Sequence, residues 1–253
     1  MGGELVARFE QDGRTMVYTR SGADVGDTFV LVHGIGMGHR VFRDLAEELG
    51  SAGTVYAVDL PGFGDSPEPG SALDMPASGD FLAAFVASLP MRDPVLVGHS
   101  MGTQVVVEAL VRHPALASRA VLIAPTVNPA ERTARQQALR MMQDLADESP
   151  KVLALGTAQY VKAGPRWFLR KLHQMLDHRV EDVLPLLRAR TLVLRGEEDL
   201  VCPRDWVRRV TELIPDAQMR EIPDRGHEAM IRSPQPVASM IIAHASGAPP
   251  EHD

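Results

Sequence analysis

Ser100 stands at the centre of the segment GHSMG (98–102), where its hydroxyl could act as a nucleophile. The apolar run 94–97 before the segment predicts a strand, and the stretch 103–112 after it predicts a helix. Small residues two positions before and two positions after a serine let a strand and a helix approach closely, so the serine occupies a strained turn with an accessible hydroxyl. We predict that Ser100 attacks a carbonyl carbon in an acyl-transfer reaction.

A serine hydroxyl is a poor nucleophile and needs a base within hydrogen-bonding distance, a role that a histidine can fill. Of the nine histidines, His227 lies in the loop that follows the last predicted strand, 217–222. That loop returns to the carboxyl edge of the sheet, the edge at which Ser100 is also expected. The spacing therefore indicates His227 as the base.

The acid that orients this histidine is expected in the loop after the predicted strand 191–194. The loop contains Glu197, Glu198 and Asp199. We assign the role to Asp199, because its spacing from the neighbouring glycine and proline places it at the tip of the loop. The resulting chain order is serine, then acid, then histidine, an order known for catalytic groups around a nucleophile of this kind.

A carbonyl group under attack develops negative charge on its oxygen, and two backbone N–H groups can stabilise that charge. The first N–H is expected at Met101, in the opening turn of the helix after Ser100. The second is expected in the loop HGIG (33–36), which follows the predicted strand 28–32, and we assign it to Ile35. Ile35 and Met101 are thus the predicted residues of an oxyanion hole.

These candidate residues all follow short apolar runs that alternate with amphipathic stretches along the chain. Alternation of this kind predicts a parallel sheet covered by helices on both faces. Near the N-terminus, two short runs flank a Gln-Asp-Gly turn (11–13), which predicts an antiparallel edge. We therefore expect an α/β fold with a mostly parallel sheet of eight strands, at 5–9, 15–19, 28–32, 54–58, 94–97, 119–123, 191–194 and 217–222.

The strand pattern stops between 126 and 190, where the composition is helical and the sign of the charge reverses. This segment has eleven Lys and Arg against seven Asp and Glu, whereas the whole chain has a net charge of −7. A helical insertion in an α/β chain is typical of a lid, and a solvated helical layer explains the charges equally well. We predict a core of 1–125 and 191–245, a helical cap over 126–190 and a flexible tail over 246–253.

The composition limits the class of protein and its partners. With 253 residues, 45% of them hydrophobic, the chain is long enough for a packed core, and no apolar run reaches the ~18 residues of a membrane span. The N-terminus carries charges where a secretory signal needs an apolar stretch, so we expect a soluble, cytoplasmic protein. The net charge gives no reason to expect a nucleic-acid partner, and a single cysteine, Cys202, excludes a disulfide framework.

Some residues allow other interpretations. The glycines at 34, 36 and 38 open a predicted helix and Asp59 ends the next strand, which imitates a dinucleotide-binding motif, but the GxGxG spacing is wrong and we expect no cofactor. His33 and His99 are expected to hold their loops through hydrogen bonds. The remaining histidines are expected on the surface or in the cap, without the paired spacing of a metal site: His39, His113, His173, His178, His244 and His252.

Five segments resemble those of the α/β-hydrolase family in their order and spacing, namely HGIG, DLPGFGDS, GHSMG, GEEDLVCP and DRGHE. The resemblance covers 1–125 and 191–245, and it implies a serine hydrolase with a helical cap inserted after the sixth strand. Haloalkane dehalogenases and epoxide hydrolases of this fold carry an aspartate where this chain has Ser100. The resemblance therefore favours a carboxylesterase or a lactonase.

The expected substrate is a small to medium, largely apolar ester or lactone, hydrolysed through an acyl-enzyme. Tyr160, Trp167 and Phe168, in the predicted cap, are candidates to line the acyl pocket or to join the cap to the core. The same three catalytic groups could also serve perhydrolysis, acyl transfer or carbon–carbon bond hydrolysis. A non-catalytic, ligand-binding member of the fold is a further alternative.

Overall fold

The computed structural model describes residues 5–145 and 164–247, and its centre is an eight-stranded sheet. In chain order the strands are β1 (Leu5–Gln11), β2 (Arg14–Gly22), β3 (Asp27–Val32), β4 (Gly53–Asp59), β5 (Val95–His99), β6 (Arg119–Ile123), β7 (Arg190–Gly196) and β8 (Ala217–Ile222). Across the sheet their order is β1-β2-β4-β3-β5-β6-β7-β8. The predicted number of strands is confirmed.

The sheet is parallel except at one edge. Strand β3 pairs with β4 and β5, and β6 pairs with β5 and β7, all in the parallel sense, as do β7 and β8. Strand β2 is antiparallel to both β1 and β4, because the turn at Asp12 and Gly13, both with positive φ, reverses the chain. The predicted α/β fold, with a mostly parallel sheet and an antiparallel edge, is confirmed.

Helices connect the parallel strands, and two more follow β8. They are α1 (Arg43–Leu49), α2 (Met75–Ser88), α3 (Met101–Arg112), α4 (Ala134–Leu145), α5 (Pro165–Asp177), α6 (Val180–Val183), α7 (Arg204–Leu213), α8 (Ala229–Arg232) and α9 (Pro234–Ser246). Helix α2 packs against α3, and α1 packs against α9. Within 5–145 and 164–247, none of the helices is long and apolar enough to cross a membrane.

Helix α2 begins at Met75, six residues before the apolar periodicity that starts at Phe81. The carboxylate of Asp74 accepts a hydrogen bond from the Ala77 N–H (2.8 Å) and so caps the first turn. Pro76 stands in that turn, where its missing N–H has no helical partner to lose. The cap and the proline therefore extend the helix to the N-terminal side of its apolar pattern.

The helical segment after β8 is divided into α8 and α9. Pro234 opens α9, because proline has no N–H to continue the preceding turn but fits the first turn of a new helix. Helix α9 ends at Ser246, and Gly247 caps it with a φ of +70°. The rest of the tail predicted over 246–253 lies outside the described residues.

The central strands are apolar along consecutive positions. The side chains of 29–32 in β3, 95–97 in β5 and 120–123 in β6 are fully buried. Since consecutive residues of a strand face opposite sides of a sheet, both faces are covered at these strands. Polar residues enter where the strands end, and the loops there supply the candidate site.

Helix α5, in the segment between β6 and β7, docks on the rest of the protein through polar contacts. Lys171 is buried, and its ammonium group donates to the Leu73 carbonyl oxygen (2.6 Å). Burial lowers the pKa of Lys171 to about 8. The side-chain amide of Gln104 on α3 donates to the Met175 carbonyl oxygen (3.1 Å). These contacts fix α5 against both α3 and the chain that precedes α2.

The crossing of β5 and α3 depends on Gly98 and Gly102, and substitution should destabilise the fold. A Cβ on Gly98 would lie 2.6 Å from the Gly102 carbonyl oxygen, and one on Gly102 would lie 2.2 Å from the Val32 carbonyl oxygen. Because backbone atoms must move, we expect Gly102→Ala to lower the free energy of unfolding by at least about 1–3 kcal/mol. Urea denaturation followed by circular dichroism measures this change.

The control is Gly70→Ala, because among the described residues nothing beyond its two chain neighbours lies within 4 Å of the added carbon. This variant should stay within about 0.5 kcal/mol of the wild type. Equal stability of Gly102→Ala and Gly70→Ala would contradict the close strand–helix contact.

Candidate functional site

Ser100 occupies the turn between β5 and α3 in a backbone conformation that serine rarely adopts. Its φ of 52° lies in the region that favours glycine. The Ser100 N–H donates to the Ile123 carbonyl oxygen (3.0 Å), and the Thr103 hydroxyl donates to the Ser100 carbonyl oxygen (2.6 Å). The structure thus places Ser100 on the strained turn that its flanking glycines predict.

Asp199 and His227 form a buried pair at the same edge of the sheet. Each is 1% exposed, and the Asp199 Oδ2 lies 3.0 Å from the His227 Nδ1. The Asp199 Oδ1 accepts hydrogen bonds from the backbone N–H groups of Val201 and Cys202, both at 2.8 Å. Donors on both oxygens hold the carboxylate in one orientation toward the imidazole.

Burial and charge act in opposite directions on this pair. Burial alone would lower the pKa of His227, but the negative charge of Asp199 and its hydrogen bond raise that pKa well above its ordinary value. The pKa of Asp199 is held below its ordinary value by the same contact, although burial opposes the shift. Glu197 and Glu198 are exposed. Of the three carboxylates in this loop, the structure therefore places Asp199, the one that the sequence predicts, against His227.

His99 lies between the serine turn and the loop of His227. Its buried Nε2 donates to the His227 carbonyl oxygen (3.2 Å), and the two ring centres are 5.1 Å apart. Burial and the neighbouring charge of His227 lower the pKa of His99 to about 3, so the ring is neutral. The prediction that His99 holds its loop through a hydrogen bond is confirmed.

The β3 loop (33–39) lies against the serine turn. A Cβ placed on Gly34 would lie only 3.0 Å from the Ser100 Cβ. Half-buried Ile35 follows, in a turn that Gly36 completes with a φ of +71°. Met101 is the first residue of α3, so helix geometry gives its N–H no partner within the helix. Both predicted oxyanion donors therefore belong to segments that flank Ser100.

Asp59, at the end of β4, links the β3 loop to the β4 loop (60–66). Its fully buried carboxylate accepts hydrogen bonds from the His39 N–H, from the His39 Nδ1 (2.8 Å) and from the Asp65 N–H (2.7 Å). At the other end of the β3 loop, the His33 Nε2 accepts from the Leu60 N–H (3.0 Å). The two loops are thus joined at both ends.

The expectation that His39 and His244 lie on the surface or in the cap is wrong, since both are buried against the core. Burial lowers the pKa of His39, but its contact with Asp59 outweighs this and raises it. The His244 Nε2 donates to the Arg190 carbonyl oxygen (3.1 Å). The sequence signal for the contact with His39 is Asp59 at the end of a strand, followed by the glycines of DLPGFGD.

Trp167 and Phe168, at the start of α5, cover the two joined loops. Trp167 is 2% exposed, and a Cβ placed on Gly62 in the β4 loop would lie 2.2 Å from its ring. Phe168 is half-buried, and a Cβ on Gly36 in the β3 loop would lie 3.0 Å from its ring. Tyr160, the third aromatic candidate, lies outside the described residues.

Three groups of described residues have ligand atoms within 4.8 Å of one another and could hold a metal ion. They are His99 with His227 and Glu228, Asp199 with Cys202 and His227, and His39 with Asp59 and Asp65. In each group an imidazole already makes a hydrogen bond within the protein, to a carboxylate or to a backbone carbonyl. The Cys202 thiol donates to the Pro125 carbonyl oxygen (3.3 Å), and burial raises its pKa to about 12. The thiol is therefore protonated, which makes it a poor ligand.

Comparison with known proteins gives matches over most of the chain. A family model described as the alpha/beta hydrolase family matches residues 29–240. The AB hydrolase superfamily protein YisY of Bacillus subtilis (strain 168) is 25% identical over 243 residues, which cover 85% of this chain and 90% of that protein. The pimeloyl-[acyl-carrier protein] methyl ester esterase of Chromobacterium violaceum is 28% identical over 244 residues, covering 87% and 94%.

Solved structures share the fold. The crystal structure of a membrane phospholipase A, described as a bacterial virulence factor, aligns with a TM-score of 0.82 at 23% identity. The alignment covers 97% of this chain and 86% of that chain. At this level of identity, the likeness shows a common arrangement of strands and helices.

The neighbouring His99 and His227 should titrate on opposite sides of the ordinary histidine value. Asp199→Asn removes the charge that raises the pKa of His227 but leaves the ring buried, so that pKa should fall by more than about one pH unit. Nuclear magnetic resonance of protein labelled in its imidazole rings measures both histidines. Glu197→Gln, in the same loop, removes an exposed carboxylate and should leave both values unchanged. An unaltered His227 titration in Asp199→Asn would contradict the ion pair.

Proposed function

The chain belongs to the alpha/beta hydrolase family, and we propose that it is a serine hydrolase that cleaves carboxylic esters or lactones. In this proposal Ser100 is the nucleophile, His227 the general base and Asp199 the acid that orients the base. The observation that carries the proposal is the buried contact of 3.0 Å between Asp199 and His227. His99, which contacts the His227 carbonyl oxygen, directly precedes Ser100 with its φ of 52°. The relative named as a methyl ester esterase supports an ester as the substrate.

The acylation step follows from the orientation of the imidazole. Asp199 accepts the hydrogen bond of the His227 Nδ1–H, which leaves the lone pair on Nε2, the nitrogen that faces away from Asp199. Nε2 takes the hydroxyl proton while the Ser100 oxygen bonds to the carbonyl carbon. The carbonyl electrons move to the oxygen, where the N–H groups of Ile35 and Met101 donate to it. The tetrahedral intermediate then expels the alcohol, which leaves with the proton from His227.

Deacylation repeats these steps with water as the nucleophile. His227 takes a proton from water as the water oxygen bonds to the acyl carbon, and the same two N–H groups stabilise the oxyanion. The bond to the Ser100 oxygen breaks, and this oxygen recovers the proton from His227. The products are the carboxylic acid and the free enzyme. A lactone gives one product, a hydroxy acid, because its alcohol and acid belong to the same molecule.

The substrate is proposed to be small to medium in size and largely apolar, and the segment 126–190 is proposed to act as its cap. The half-buried ring of Phe168 lies beside the β3 loop that carries Ile35, and this position supports a role for Phe168 in lining the acyl pocket. The ring of Trp167 is buried against Gly62, and this position supports a role in joining the cap to the core instead. Tyr160 stays a sequence prediction for the acyl pocket.

An alkyl fluorophosphonate reacts with an activated serine and provides the direct test of Ser100. We expect one adduct per wild-type molecule in the intact mass, and no adduct in Ser100→Ala. Hydrolysis of p-nitrophenyl esters should fall by more than about a thousandfold in Ser100→Ala, since the group that forms the acyl-enzyme is gone. Ser88→Ala, on α2, is the matched control and should behave as the wild type. Full esterase activity in Ser100→Ala would contradict the proposal.

Adding an alcohol or hydrogen peroxide to the same assay tests the alternative chemistries. Hydrolysis predicts the free acid as the main product even when such an acceptor competes with water. A transesterified product or a peracid as the main product would instead assign the same residues to acyl transfer or to perhydrolysis.

Phe168 should limit the length of the acyl chain. Phe168→Ala removes a ring beside the β3 loop, so kcat/KM for long-chain p-nitrophenyl esters should rise relative to the acetate by about tenfold, the scale of one or two buried methylene groups. Leu169→Ala, at the next position on α5, removes a side chain that is 50% exposed and serves as the control. An unchanged chain-length profile in Phe168→Ala would remove this residue from the pocket.

A further inference from the structure

Arg195, on β7, is a buried cation to which the proposed reaction assigns no role. The residue is 3% exposed, and three of its nitrogens make hydrogen bonds. Its Nε donates to the Cys202 carbonyl oxygen and its Nη2 to the Asp199 carbonyl oxygen, both at 3.2 Å. Its Nη1 donates to Glu221 on β8 and forms an ion pair with it. Two of the three bonds therefore end on the loop that carries the proposed acid.

The acid turn (199–202) is held from two directions. From within, the N–H groups of Val201 and Cys202 donate to the Asp199 Oδ1. From outside, Arg195 donates to the carbonyl oxygens of the first and last residues of the turn. A guanidinium group is planar and presents its N–H donors in fixed directions, so two bonds to two carbonyl groups set the distance between them.

Glu221 balances the charge that this arrangement buries. Arg195 and Glu221 are direct partners in the register of β7 and β8, which places their side chains next to each other. The second carboxylate oxygen of Glu221 lies 2.9 Å from Arg204, a residue whose side chain is 62% exposed. A buried guanidinium without a counter-charge would be strongly destabilising. The ion pair therefore allows a cation to lie under the acid turn.

We propose that Arg195, with Glu221 as its counter-charge, is a positioning residue that holds the acid turn so that Asp199 keeps its contact with His227. The inference rests on the proposed function, in which Asp199 orients the base. The contacts of Arg195 on the acid turn are with backbone oxygens, so its effect on the reaction passes through Asp199. Small displacements of a catalytic group cost large factors in rate, and a fixed turn prevents such displacements.

The test is Arg195→Met, which keeps a long apolar side chain but removes all three donors. We expect kcat to fall about 10–100-fold, the effect typical of lost support for a catalytic group, while KM changes less than about threefold. The acid limb of the pH profile of kcat/KM should also move to lower pH. A displaced carboxylate raises the pKa of His227 less, so the histidine loses its proton at a lower pH.

The direction of the pH shift separates positioning from the loss of charge. Loss of a nearby positive charge alone would raise the pKa of His227, whereas a displaced carboxylate lowers it, and the identity of the groups that face His227 is unchanged. These groups are Asp199 and Cys202 from the acid turn, His99 from the serine turn, and Glu228, the next residue in the chain. An Arg195 that only stabilised the fold would lower activity in proportion to the folded protein and would not move the pH profile. Circular dichroism and urea denaturation measure the folded fraction.

Arg204→Met is the matched control, because it removes a cation that pairs with the same carboxylate but does not touch the acid turn. It should leave kcat and the pH profile as in the wild type. Arg195→Lys keeps a charge for Glu221, but a single ammonium group cannot bridge the two carbonyl oxygens in the same geometry. It should therefore resemble Arg195→Met in kcat and in pH profile, and it replaces that variant if Arg195→Met does not fold.

Three results would overturn the positioning role. They are wild-type kinetics in Arg195→Lys, equal effects of Arg195→Met and Arg204→Met, or a loss of activity in Arg195→Met without a change in the pH profile. Failure of the proposed function gives a different result, since wild-type protein would then form no adduct with the fluorophosphonate.

Discussion

A carboxylate can be buried only where hydrogen-bond donors or positive charge replace the water it loses, and the candidate site is arranged around this requirement at Asp199. Its oxygens accept hydrogen bonds from two backbone N–H groups of its own turn and from the His227 imidazole. These donors come from the loops after β7 and β8, so the need to satisfy one carboxylate brings the two loops together. Gly196 permits the approach, because a Cβ there would lie 2.1 Å from the Arg225 carbonyl oxygen.

The same requirement recurs at Asp59, on the other side of the serine turn. There the donors are the backbone N–H groups of His39 and Asp65 and the His39 imidazole, so one carboxylate joins the β3 and β4 loops. Ser100 lies in the turn between β5 and α3, with the β3 loop against it through Gly34. Two buried carboxylates at strand ends thus hold the loops from which the proposed oxyanion donor, base and acid come.

Placing two imidazoles 5.1 Å apart in a buried site limits how their charges can be distributed. Like charges at that distance repel strongly where water is excluded, so one ring must stay neutral. His227 is hydrogen-bonded to the Asp199 carboxylate and can carry the positive charge. The His99 Nε2 donates to a backbone carbonyl oxygen and lies 3.9 Å from the Glu228 carboxylate, and burial keeps this ring neutral. The neutral ring then acts as a fixed donor between the serine turn and the loop of the base.

The sequence by itself determined the features that depend on neighbouring residues. Consecutive apolar residues predicted the central strands, and the glycines around Ser100 predicted the strained turn. Loop order also predicted one buried pair, Asp199 with His227. The partners of Asp59 and Arg195 were decided only by the tertiary structure. His39 is 20 residues from Asp59, and Arg195 is 26 residues from Glu221, so neither pair leaves a local pattern. Periodicity in a sequence reports which side chains avoid water, but a buried charge is stable only beside a partner that another element supplies, and the packing of the elements alone determines which partner that is.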